Sequence, residues 1–152
     1  MAERVVMAAG VFDLLHLGHI HYLEEARSLG DRLVVVVACD ETVRKNKHEP
    51  LMTQDVRAEM VESLKPVDEV KIGYEGDMFK IVKEISPDII ALGYDQRHDV
   101  DMIRHELKKR GLDIEVRRMG HYDNDLDGTR KIIRKIIDWY SMKKNLERVE
   151  GA

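Results

Sequence analysis

The chain has 152 residues, the length of one domain built around a single core. Apolar residues make up 43% and charged residues 36%, which excludes both a disordered chain and a bilayer-embedded one. Twenty-five Lys and Arg against 29 Asp and Glu give a formal net charge of -4, which argues against bulk nucleic acid as a partner.

The longest apolar runs, Val5 to Phe12 and Leu33 to Cys39, fall far short of the roughly 18 residues that a membrane span requires. A soluble protein with no membrane partner is expected. Met1 to Arg4 carries Glu3 and leads straight into a strand-like segment, unlike a cleavable signal. Cys39 is the sole cysteine, so no internal disulfide can form, and a reducing, cytoplasmic location is expected.

In chain order, the apolar run Arg4 to Ala9 predicts a first strand, and Ile20, Leu23 and Ala26 then recur at helical spacing up to Gly30. Arg32 to Ala38 predicts the second strand. Thr53 caps a helix carrying Val56, Met60, Val61 and Leu64, and Pro66 turns the chain into a strand at Glu69 to Ile72. Met78, Ile81, Val82 and Ile85 form the next helical stripe, and Pro87 precedes a strand at Asp88 to Leu92. Ile103 and Leu107 mark a helix ended by Gly111, followed by a fifth strand at Ile114 to Arg118. A last helix presents Ile132, Ile133, Ile136, Ile137 and Tyr140 as one apolar stripe, with Arg130, Lys131, Arg134 and Lys135 largely off it. Residues 1–142 are expected to form the domain, and 143–152 a polar tail that frays.

Strict alternation of strands and helices predicts an α/β fold. The simplest topology is a single-domain, Rossmann-like, doubly wound sheet of five mostly parallel strands with helices on both faces. Such sheets bind ligands beyond the carboxyl ends of the strands, where the winding reverses. That rule selects the loop Gly10 to His19 after the first strand and Gly93 to Asp99 after the fourth.

The first loop reads Gly10-Val11-Phe12-Asp13-Leu14-Leu15-His16-Leu17-Gly18-His19. It lacks the G-x-G-x-x-G of a dinucleotide site and the G-x-x-x-x-G-K-[ST] of a P-loop. It offers instead two imidazoles three residues apart on the first turn of a helix, beside backbone N–H groups that favour an anion. Gly18 lets a phosphate approach the backbone closely. Two plainer readings of the pair are a metal site, for which no further ligand stands at an obvious spacing, and two surface histidines without a task. His21 reads as a solvated helix residue.

These residues carry a resemblance. The segment resembles the H-x-G-H signature of the nucleotidyltransferase superfamily, and in its fuller form the cytidylyltransferase-like branch. The likeness covers nearly the whole chain. The stretches Asp40 to Lys47, Met52 to Val70 and Asp88 to Gln96 look most like the archaeal FAD synthetases, which are FMN adenylyltransferases. The resemblance implies that Val11 and Phe12 line the nucleotide pocket and that His16, Leu17, Gly18 and His19 hold the triphosphate. It places Asp95 against the ribose or base, Tyr122 or Asp123 at another nucleotide contact, and Thr129 at a phosphate. It also implies ATP and FMN as substrates, a divalent cation such as magnesium held mainly through substrate phosphates, and a homodimer.

One departure bears on the nucleotide. Cytidylyltransferases of this branch read R-T-x-G-I-S-T-T before the last helix, where this chain reads Asp125-Leu126-Asp127-Gly128-Thr129-Arg130-Lys131. That favours ATP over CTP. The alternatives are a CTP-dependent enzyme acting on glycerol 3-phosphate or a related phosphorylated alcohol, and a non-catalytic nucleotide- or flavin-binding module.

Lys45 and Lys47 in Arg44-Lys45-Asn46-Lys47 read either as a solvated loop or as a mobile phosphate clamp. Arg57 reads as helix surface as readily as anything else. Asp13 either helps position a metal or caps the turn, and Cys39 is a buried thiol. Aromatic residues are 5% of the chain and form no evident stacking pair, so flavin rests on the resemblance.

Overall fold

A computed structural model describes residues 2–122 and 128–151. Its strands are β1 (Val5–Gly10), β2 (Arg32–Val37), β3 (Glu69–Ile72), β4 (Ile89–Leu92) and β5 (Glu115–Arg118). The helices are α1 (Leu17–Ser28), α2 (Asp40–Asn46), α3 (Gln54–Glu62), α4 (Met78–Ile85), α5 (Val100–Lys109) and α6 (Thr129–Glu150). The five strands form one parallel sheet in the order β3-β2-β1-β4-β5, the doubly wound arrangement expected from the sequence.

Period-two alternation sorts the core. Val6 and Ala8 of β1, Leu33, Val35 and Val37 of β2, and Ile89 and Ala91 of β4 face one side, where Leu23 and Ala26 of α1 and Val61 of α3 cover them. Met7, Val36, Ile90, Leu92 and Val116 face the other, under Ile81 and Val82 of α4 and Ile103 and Leu107 of α5. Burial on both faces explains why the inner strands read as continuous Val and Ile runs. On the edge strand β5, Glu115, Arg117 and Arg118 are exposed, which discourages pairing with another sheet.

The turns follow their expected chemistry. Thr53 caps α3, accepting from the backbone N–H of Val56 at 3.4 Å. A side chain at Gly30 would approach the Arg4 carbonyl to 2.6 Å, so α1 can return to β2 there only through glycine.

Three expectations are corrected. Arg44 to Lys47 is not a solvated loop: Arg44, Lys45 and Asn46 belong to α2, which occupies Asp40–Asn46, with Lys47 at its C-terminal cap. The apolar stripe assigned to α3 is rotated, because Val56 and Met60 are exposed while Arg57 and Val61 are buried. The segment from Lys143 is not a frayed tail, since α6 continues as helix to Glu150. On α6 itself no residue is buried, and Ile136, Ile137, Trp139, Tyr140, Met142 and Leu146 stand exposed. Among the described residues no helix is long and apolar enough to cross a membrane.

Candidate active site

The winding reverses between β1 and β4, and two side chains close that gap. The Tyr22 hydroxyl accepts from the Ala9 N–H at 3.2 Å and donates to the Ala91 carbonyl at 2.6 Å. The Gln96 side-chain amide donates to the Ala9 carbonyl at 2.6 Å and accepts from the Gly93 N–H at 2.9 Å. Both loops selected from the sequence therefore start from one joined platform. Burial pushes the Tyr22 phenol up, and the charge of Asp95 adds to that.

The loop after β1 is held in an unusual conformation. Phe12 has φ +54°, in the left-handed region that a non-glycine residue occupies only when its surroundings impose it. Those surroundings are a buried arginine and a buried aspartate. The fully buried Arg57 guanidinium donates to the carbonyls of Val11 at 2.8 Å, Ala38 at 2.8 Å and Met52 at 3.0 Å, and to the Asp40 carboxylate at 2.7 Å. Asp13 accepts from the backbone N–H groups of Leu51 at 2.8 Å and Met52 at 2.9 Å. Asp13 thus fastens a loop, and its carboxylate is committed to backbone donors. Burial is the largest single influence on the Asp40 carboxyl and would raise it, but the hydrogen bonds from Arg57 and at Gln54, with the charges of Arg57 and Arg44, together outweigh it and hold the group below the usual range.

At the end of this loop His16 stands in extended conformation as the cap of α1, and its ring stacks on that of His19 with centroids 3.7 Å apart. The backbone N–H of His16 donates to Nδ1 of His19 at 3.3 Å. An Nδ1 that accepts leaves the proton of a neutral imidazole on Nε2. Neutrality is enforced: burial first, then the charges of His16 and Lys47, lower the His19 pKa from 6.5 to about 3. The Phe12 ring lies 5.1 Å from the His19 ring and contributes to that burial. Leu17, Gly18 and His19 form the first turn of α1, where backbone N–H groups and the helix dipole favour an anion.

The remaining candidates divide. Thr129 opens α6, and its hydroxyl reaches the Leu14 carbonyl at 3.5 Å, so the start of α6 abuts the histidine loop. Tyr122 stacks on His21 of α1 with centroids 3.6 Å apart, and Tyr94 lies 4.4 Å from His121. His21 is therefore a ring partner rather than a purely solvated residue. These two imidazole–phenol pairs flank a surface hollow of about 360 Å³ lined by His21, Glu24, Glu25, Gly120, His121 and Tyr122. The two lysines differ. Lys45 pairs with Glu75, whereas the charge of Lys47 is felt at His19. Asp95 is exposed on its loop, while Asp99 caps α5, accepting from the N–H groups of Asp101 at 2.8 Å and Met102 at 3.3 Å. Asp123, and Asp125, Leu126 and Asp127 of the departure motif, lie outside the described residues.

Among the described residues, no three His, Cys, Asp or Glu side chains gather as they would around a metal ion. The Asp13 carboxylate, an oxygen ligand of the kind a hard cation takes, is engaged by backbone N–H groups. Cys39 is buried at the cap of α2, with Sγ 3.1 Å from the Thr42 hydroxyl, as a structural thiol would be.

Arg57 and Tyr22 were the residues that sequence reasoning missed. The spacing held a signal for the first: Arg57 lies four residues before Val61, on the same face of α3. Tyr22 follows no such rule, because its partners Ala9 and Ala91 come from two strands far apart in the chain.

The cytidylyltransferase-like family model matches residues 7–148. The FAD synthase of Aciduliprofundum boonei is 58% identical over 134 residues, covering 88% of this chain and 90% of that protein. That of Methanothermobacter thermautotrophicus is 55% identical over 137 residues, covering 88% and 91%. Among solved structures, the lipopolysaccharide core biosynthesis protein from Thermoplasma volcanium superposes with a TM-score of 0.79 at 48% identity, over 80% of this chain and all of that one.

Proposed function

The chain belongs to the cytidylyltransferase-like family, and from that premise we propose that it is an FMN adenylyltransferase, forming FAD and pyrophosphate from ATP and FMN. The observation that carries this reading is the stacked His16–His19 pair on the anion-binding first turn of α1, in a chain 47–58% identical to archaeal FAD synthases.

A phosphate oxygen of FMN attacks the α-phosphorus of ATP in line. The new P–O bond forms as the bond to the bridging β-phosphate oxygen breaks, and that oxygen leaves as pyrophosphate. No protein nucleophile is required, so the enzyme's contribution is positioning and the stabilisation of growing negative charge. His19 meets that charge as a neutral donor through Nε2–H, a form it keeps because its pKa is near 3. His16 donates beside it, and the N–H groups of Leu17 and Gly18 with the α1 dipole bind the phosphates. Lys47 approaches from the end of α2 as the phosphate clamp, with Lys45 engaged by Glu75. Val11 and Phe12 line the nucleotide pocket through their backbone, Asp95 and Tyr122 contact the nucleoside, and Thr129 takes a phosphate. A divalent cation such as magnesium, carried on the phosphates, supplies further charge neutralisation when bound.

The enzyme acts in the cytoplasm as a homodimer, without nucleic acid or membrane partners. The charge of -4 supports the exclusion of nucleic acid, and the exposed apolar side chains of α6 support pairing.

Incubation with divalent cation and each nucleotide–acceptor pair tests the assignment. ATP with FMN should yield FAD and pyrophosphate, and CTP should support a rate lower by about a hundredfold or more, because a site built to hydrogen-bond one base leaves polar groups unpaired with another. CDP-glycerol from CTP and glycerol 3-phosphate, with no FAD from ATP and FMN, would overturn it.

A further inference from the structure

The loop between β4 and α5 is gathered by one side chain. Arg118, the last residue of β5, donates through Nη1 to the carbonyls of Gly93 at 2.9 Å and Gln96 at 2.7 Å, and through Nη2 to the carbonyl of His98. Leu92 and Arg118 are register partners in the sheet, and the Met119 N–H donates to the Leu92 carbonyl at 2.7 Å, so the guanidinium springs from a fixed base. From the opposite side Gln96 fastens the same loop to β1 through Ala9.

A planar guanidinium has five donors in a rigid fork, which suits it to collecting several carbonyls at once. A lysine ammonium, a point charge on a flexible stem, cannot hold three carbonyls in that plane. With the carbonyls of Gly93, Gln96 and His98 held by Arg118, the loop that carries Asp95 is fastened on both sides of that residue. Ordering that loop before the ligand arrives removes an entropic cost from binding.

We propose that Arg118 is a positioning residue for the nucleotide: it presets the loop carrying Asp95 and thereby sets ATP affinity, without touching the reacting phosphates. This rests on the reading that the loop contacts the nucleotide.

The experiment compares the full-length wild type with Arg118→Met, Arg118→Lys and Arg104→Met. Arg104 is the comparator because its guanidinium also donates to β5, at the Val116 carbonyl at 2.8 Å, with no bond to the 93–98 loop. ATP affinity is measured by calorimetry without FMN, loop order by amide exchange over residues 93–98, and turnover at saturating ATP. Arg118→Met should weaken ATP binding about tenfold or more and speed exchange in the loop, with kcat and the KM for FMN held within about threefold. Arg118→Lys, which keeps charge and stem, should lose most of the same affinity, and Arg104→Met should keep it. A merely structural Arg118 would lower stability in both of its variants without separating ATP affinity from the KM for FMN. Unchanged ATP binding in both Arg118 variants, or equal losses in the Arg104 and Arg118 variants, would overturn the proposal. Because the titration needs no acceptor, failure of the FMN assignment shows separately, as absence of FAD from the wild type.

Discussion

The backbone N–H of His16 donates to Nδ1 of His19 at 3.3 Å, so the first histidine fixes the tautomer of the second. Truncating His19 to alanine removes an Nε2–H donor that the fold has already oriented. His16→Ala and His19→Ala should each lower kcat by roughly 100- to 1,000-fold. At pH 7.5 thermal midpoints should barely move, since both rings are only half-buried. Near-normal turnover in either variant at saturating substrate would remove that histidine from the charge-stabilising set.

A neutral His19 also leaves a mark on stability. Above pH 6.5 neither the folded nor the unfolded chain holds a proton on it. Below that the unfolded chain takes up a proton that the folded site, with its pKa near 3, refuses. Its contribution is therefore intact above pH 6.5 and is lost as pH falls from 6.5 toward 3. Urea unfolding of wild type and His19→Gln at pH 7.5 and 5.5 should show the difference between them shifting by about 1.4 kcal/mol, against the wild type at the lower pH.

Lys45 and Lys47 separate by what each faces. Lys47→Ala should lower kcat/KM for ATP by about tenfold, as loss of a charge on the triphosphate predicts. Lys45→Ala removes an exposed pair with Glu75 and should leave kcat/KM within about twofold. Steady-state kinetics at varied ATP checks both, and the reverse order would reassign the clamp.

Asp95 and Asp99 share a loop and differ in engagement. Asp99→Ala removes the cap of α5 and should lower stability by about 1 kcal/mol while sparing ATP affinity. Asp95→Ala should weaken ATP binding and leave the melting temperature unchanged. Calorimetry and thermal unfolding of the two variants together check the pair of outcomes.

Arg57→Met should be the most damaging of the substitutions considered. It strands the carbonyls of Val11, Ala38 and Met52 and leaves Asp40 without its partner, for a loss of about 3 to 5 kcal/mol in denaturant unfolding.

The sheet was legible because both faces of its inner strands are buried, which leaves a continuous Val and Ile signal at β2 and β4. The histidine loop was legible because its chemistry is local in sequence. What escaped is non-local or too short. Helix α2 has seven residues and buries only Val43, so periodicity had nothing to register. Arg57 reads as solvent-facing by residue type, and only the three carbonyls that converge on it from other elements make burial tolerable. The ring pairs His21–Tyr122 and Tyr94–His121 join positions distant along the chain, which aromatic content alone could not reveal. The exposure of α6 was equally unreadable, since its stripe has the spacing of a buried face.

The fastening of Val11, Leu51 and Met52 by Arg57 and Asp13 also limits how the site can close. Helix α2 ends at Asn46, and Arg44 grips Glu49 from that helix with Nε 3.0 Å from one carboxylate oxygen. Lys47 thus sits on a tether anchored at both ends, spanning four residues to Pro50, or about 14 Å fully extended. Such a tether pivots rather than swings. Any movement of Lys47 is thereby confined to a pivot about the end of α2, completed without unfolding a helix.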